Sequence, residues 1–82
     1  MKLLKFYADW CGPCKQLSET LSTMDVNMLV EPVNIDASKA LCLKYGVRSI
    51  PALVLVDQEG VEMGRLLGNQ PASKITELME RV

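Results

Sequence analysis

The 82-residue chain has no histidine, and its three cysteines are an odd number. The missing imidazoles work against a structural zinc. A tetrahedral site needs about four ligands, and with only Cys11, Cys14 and Cys42 available a carboxylate or a second chain would have to complete it. The odd cysteine count excludes a disulfide framework of the secreted kind. A bridge between Cys11 and Cys14 would close a loop too short to remove much unfolded-state entropy. No apolar run approaches the roughly 18 residues of a membrane-spanning helix. The N-terminal "MKLLKFYADW" is too short in its apolar part for a secretory signal and has no small-residue cleavage site. A dominant charge is missing too. Nine Lys and Arg against ten Asp and Glu leave a net charge of -1, so no basic field recommends nucleic acid or an anionic membrane as a partner. Repeats, low-complexity tracts and linkers are absent. These absences predict one soluble domain over residues 1–82, without metal or cofactor, in a reducing compartment such as the cytoplasm.

What is present is a chain 49% hydrophobic, patterned in short segments. "KLLKFYA" at 2–8 reads as a buried strand running into "DWCGPC". Cys14, Leu17, Ser18, Leu21 and Met24 recur at spacings of three and four, the face of a helix with Pro13 in its first turn. "MLVEPVNID" at 28–36 is a second strand, which Pro32 marks as an edge or bulged one. "ASKALCLKYG" at 37–46 is a short helix stopped by Gly46. "PALVLVD" at 51–57 is a third strand, "QEG" at 58–60 a turn, and "VEMGRLLG" from 61 a fourth strand. Pro71 opens a last helix, with Ile75, Leu78, Met79 and Val82 as its apolar stripe. The order is βαβαββα, an α/β fold with a four-stranded mixed sheet flanked by three helices.

This order gives the C-x-x-C pair a chemical meaning. The first βα turn lies at the carboxyl ends of the strands, where open α/β sheets expose functional groups. At a helix start the free N–H groups and the macrodipole favour an anion, and Lys15 adds positive charge, so Cys11 is expected to ionise readily and act as the nucleophile. Cys14, three residues along the same helix, can attack a mixed disulfide on Cys11 and resolve it. Gly12 leaves room for a partner's backbone, and Pro13 stiffens the turn. Trp10 is expected to form a contact surface beside the cysteines. Cys42 reads as a small hydrophobe whose side on its helix is open.

"WCGPCK" at 10–15, "NIDAS" at 34–38, "YGVRSIPALVLVDQEG" at 45–60 and Gly68 before the final helix resemble the thioredoxin family, in order along nearly the whole chain. The resemblance implies a thioredoxin-like fold and a protein-disulfide reductase whose redox-active disulfide is Cys11–Cys14. A thioredoxin-reductase-type donor would recharge it. The implied substrates are disulfide-containing proteins, ribonucleotide reductase among them, and the implied state is a monomer. The resemblance further implies a cis bond between Ile50 and Pro51 facing the cysteines, with Ile50, Pro51, Trp10 and Gly68 contacting substrate.

Two departures stand out. The match begins at what would be the first strand of the central motif, so the chain resembles a minimal member without the family's N-terminal strand and helix. Six residues before Cys11, where the family usually has a buried aspartate, this chain has Lys5, and the lysine that accompanies that aspartate falls at Pro32. Lys5 shares a strand face with Leu3 and Tyr7. Its ammonium is expected to reach water, to pair with Glu31 or Asp36, or to lie beneath the cysteines as cationic support for the active site.

Two other functions fit a chain of this size: a glutaredoxin-like, glutathione-dependent reductase, and a non-catalytic binding subunit. Against the first, Gly-Pro stands between the cysteines where glutaredoxins usually carry Pro-Tyr, and no Gly-Gly pair precedes the last helix.

Overall fold

The computed structural model describes residues 1–81. Its elements run β1 Lys2–Tyr7, α1 Gly12–Thr23, β2 Leu29–Asn34, α2 Lys39–Tyr45, β3 Ala52–Val56, β4 Glu62–Leu67 and α3 Ala72–Met79. This is the βαβαββα order, with most strand and helix ends one or two residues inside the sequence-based limits, where backbone hydrogen bonding stops, and α3 ending at Met79. Pro71 precedes α3 as its N-cap residue and is not its first helical residue. Val82, expected on the stripe of α3, lies outside the described residues.

The four strands form one sheet in the order β2-β1-β3-β4. β1 and β2 are parallel because α1 carries the chain back to the same end of the sheet. β1 pairs antiparallel with β3, and β3 antiparallel with β4. The β3–β4 turn is held by Asp57, whose Oδ1 accepts from the N–H groups of Glu59 and Val61 at 2.9 Å each. Pro32 lies in β2, an edge strand, where its missing N–H need not serve a further neighbour.

Side chains alternate across the sheet, so each central strand feeds two cores. Leu3, Leu53 and Leu55 meet Leu17 of α1 and Ile75, Leu78 and Met79 of α3. Leu4, Phe6, Val33, Ala52, Val54 and Val56 face the other way, against half-buried Leu41, Cys42 and Tyr45 of α2. Every residue of β3 is buried, as a strand covered on both faces requires. A third cluster, Ala8, Cys11 and Cys14, closes the end of the sheet to which β1 points.

Candidate active site

β1 ends at Tyr7, and the chain turns through Ala8 to Trp10 before α1 begins at Gly12. Cys11 is the N-cap of that helix and not its first helical residue: its backbone is extended, and its Sγ accepts the Cys14 N–H at 3.2 Å. A helix start leaves N–H groups without intrahelical partners, and here a sulfur takes the place that a serine or aspartate oxygen usually fills. Cys11 and Cys14 are disulfide-bonded, with Cα atoms 5.3 Å apart. Gly12 and Pro13 between them are exposed, and a side chain at Gly12 would meet open space. The two sulfur-bearing residues are buried alike, 5% and 4% exposed. Exposure therefore does not distinguish them in the oxidised state. What distinguishes them is the N–H aimed at Cys11 alone.

Two cavities flank the bridge. One, about 320 Å³, is walled by Trp10, Ile35, Cys42, Val47, Ser49 and Ile50, with Arg48 at its edge. Trp10 is 69% exposed and held in place by its indole Nε1–H, which donates to Asp36 Oδ2 at 3.2 Å. The Ile50–Pro51 bond is cis, and Ile50 packs on the cysteine cluster while Pro51 is buried. Gly68 lies against this segment: its N–H donates to Pro51 O at 2.8 Å, and its φ of 81° is one that glycine adopts without strain. Cys42, whose side the sequence left open, faces this cavity half-buried.

The second cavity, about 310 Å³, lies on the α1 side of the sheet and has Lys5, Cys14, Ser18 and Pro32 in its wall. Lys5 keeps the face shared with Leu3 and Tyr7, but it pairs with neither expected acid. Its Nζ donates to Ser18 Oγ at 2.8 Å. Glu31 is taken by Lys2 at 2.8 Å and Asp36 by Trp10, because β2 lies one strand over and Asp36 beyond its end.

The structure thus brings Trp10, Cys11, Gly12, Pro13, Cys14, Ile50 and Pro51 to one end of the sheet, with Gly68 behind Pro51 and Lys5 beneath Cys14. Sequence reasoning did not assign Ile35 and Val47 to the site and named Asp36 only as a possible partner of Lys5; only tertiary packing brings the first two to the groove and Asp36 to Trp10. Ser18 was read merely as part of a helical face. Its spacing of four from Cys14 was a signal that it stands one turn below that sulfur.

The family model for thioredoxin matches residues 1–81. The chain belongs to the thioredoxin family. It is 37% identical over 82 residues to thioredoxin of Chlamydia caviae, covering 96% of this chain and 79% of that one. It is also 37% identical over 84 residues to thioredoxin of Bacillus subtilis strain 168, with the same coverage of both chains. Among solved structures, a mutant thioredoxin from Halobacterium salinarum superposes with a TM-score of 0.85 at 36% identity, covering 96% of this chain and 71% of that chain. With its bridged Cys-Gly-Pro-Cys segment, this member of the family is a thiol-disulfide oxidoreductase acting on protein disulfides. No helix among the described residues is long and apolar enough to cross a membrane.

Proposed function

We propose that the reduced protein opens substrate disulfides with Cys11 as the attacking sulfur and Cys14 as the resolving one. The Cys11 thiolate bonds to one sulfur of the substrate disulfide, and the other substrate sulfur leaves with the electron pair and takes up a proton. Cys14 then loses its proton, its thiolate bonds to Cys11 Sγ, and the second substrate sulfur leaves. The substrate has gained two electrons and two protons, and the protein holds the Cys11–Cys14 bridge. The observation that carries this assignment is the Cys14 N–H directed at Cys11 Sγ from the start of α1, a donor placed where negative charge on Cys11 needs one.

Substrate chains dock beside the bridge along the cavity walled by Trp10, Ile35 and Ile50, with Pro51 and Gly68 supporting that wall. The open space over Gly12 leaves room for a partner's backbone, and Pro13 holds the turn. The electron donor is a thioredoxin-reductase-type enzyme, the substrates are disulfide-bearing proteins such as ribonucleotide reductase, and the protein works as a cytoplasmic monomer in one domain. The family generally accepts electrons from thioredoxin reductase, which supports this donor over glutathione.

Insulin reduction tests the reading. Turnover is expected with thioredoxin reductase and not with glutathione and its reductase, and Cys11→Ser is expected to abolish it. Substoichiometric iodoacetamide on the reduced protein should label Cys11 first. Label concentrated on Cys14 would reverse the roles, and a partner function surviving the double serine variant would make the chain a binding subunit.

A further inference from the structure

The cavity beneath Cys14 contains a cation that the dithiol chemistry above leaves unused. Lys5 projects from β1 toward α1, and its Nζ is fixed by Ser18 Oγ at 2.8 Å, with the Tyr7 ring centroid 5.8 Å away. Cys14 and Ser18 are four residues apart in α1, so they sit one above the other on a single helical face. Cys14 and Lys5 therefore share one cavity wall, the lysine nitrogen anchored one turn below the sulfur. The ion pairs among the described residues are Lys2–Glu31, Arg65–Glu62 and Lys74–Glu77, none of which uses Lys5. The other titratable groups facing this cavity are Tyr7 from β1, Asp9 from the β1–α1 turn and Lys15 from α1; β2 contributes only Pro32. Asp9 and Lys15 are exposed charges of opposite sign, whereas Lys5 is half-buried, where water screens its field less.

We propose that Lys5, held by Ser18, stabilises the thiolate of Cys14 and so promotes the resolving step. It rests on the reading that Cys14 is the resolving sulfur. In that step the Cys14 proton passes to water in the cavity, the thiolate bonds to Cys11 Sγ, and the substrate sulfur departs with the electron pair; the lysine takes no proton. When a donor thiolate later opens the bridge at Cys11, the Cys11–Cys14 bond breaks and Cys14 receives the electron pair, so the same charge assists the leaving sulfur. Lys5 is a positioning residue: it acts through Cys14 and touches no substrate atom.

The test isolates Cys14 in a Cys11→Ser, Cys42→Ala background, since Cys42 is a further free thiol, and follows its alkylation rate by iodoacetamide across pH. Lys5→Met should raise the pH midpoint of Cys14 by about one unit, and Lys5→Arg should keep it within about 0.3 unit of the parent. Ser18→Ala should give an intermediate rise. A Lys5→Met midpoint within about 0.2 unit of the parent overturns the inference, as does an equal rise in Lys5→Arg, which would mark a packing effect. If Lys5→Met does not fold, Lys5→Gln is read by the same limits. Failure here leaves insulin reduction dependent on Cys11; failure of the underlying reading would instead show as insulin reduction that persists in Cys11→Ser.

Discussion

The two faces of the sheet are built from the same strands but covered differently. On one face α1 and α3 supply fully buried Leu17, Ile75 and Leu78 against Leu3, Leu53 and Leu55. On the other, α2 is seven residues long and has no buried residue of its own; Leu41, Cys42 and Tyr45 bury Leu4, Phe6 and Val54 while staying half-exposed themselves. The well-covered face holds the scaffold of the dithiol, since α1 fixes Cys11 and Cys14 at its first turn. The thinly covered face leaves the groove of Trp10, Ile35, Val47 and Ile50 open to an incoming chain. One side keeps the sulfurs in place and the other carries the proposed docking groove, which divides tight packing and access between the faces instead of setting them in competition on one.

The largest effect that would sharpen this contrast is in stability. Ile75→Ala removes a fully buried side chain between α3 and the sheet and should cost about 3 kcal/mol, lowering the thermal midpoint of so small a domain by roughly 12–24 °C. Leu41→Ala, in the half-exposed α2 layer, should cost only about 1 kcal/mol, since much of its surface is already wet. Equal losses in urea unfolding would break the comparison.

Next is the groove. Trp10→Ala should slow reduction of protein disulfides about tenfold, equivalent to about 1.4 kcal/mol of lost contact, while leaving the urea midpoint nearly unchanged because the ring is mostly in solvent. Steady-state insulin reduction and equilibrium unfolding on the same sample check the pair of outcomes. A large stability loss with intact rate would make Trp10 a packing residue.

The smallest effect concerns the tie between β4 and the end of α2. Arg65 donates to Glu62 at 2.6 and 2.7 Å and also to the carbonyl of Tyr45. The Arg65 hydrogen bonds hold the Glu62 carboxyl below its ordinary range, and the Arg65 guanidinium is raised in turn. A depressed folded-state value gives stability that is present above the unfolded carboxyl range and lost as pH falls through the folded value. Glu62→Gln should therefore cost about 0.5 kcal/mol at neutral pH, and the difference from the parent should vanish in acid once the folded-state carboxyl is protonated. A difference that is constant across pH would assign the cost to packing.

Much of this was legible in the chain. The spacing of Cys14, Leu17 and Leu21 located α1, and Pro32 marked β2 as an edge or bulged strand, of which the sheet shows the edge. Gly46, at a φ of 61°, ends α2 where the sequence stops it. The partner of Lys5 was not legible. The acids weighed for it were chosen by charge, whereas the strand face directs the lysine to α1, where the nearest acceptor is an uncharged serine. Nor did the short α2 disclose its inner side, because Leu41, Cys42, Leu43 and Tyr45 offer two overlapping stripes and only docking on the sheet selects one.

The sequence by itself determined the elements, their order and the dithiol at the first strand-to-helix turn, because periodicity, proline, glycine and a three-residue cysteine spacing act over a few residues. The tertiary structure alone decided what surrounds the sulfurs. Ile50 and Asp36 arrive from segments 22 or more residues away from Cys14. Lys5 and Ser18 meet across the gap between β1 and α1. Such contacts depend on sheet register and helix docking, which arise from burying the two cores together and leave no local pattern in the chain.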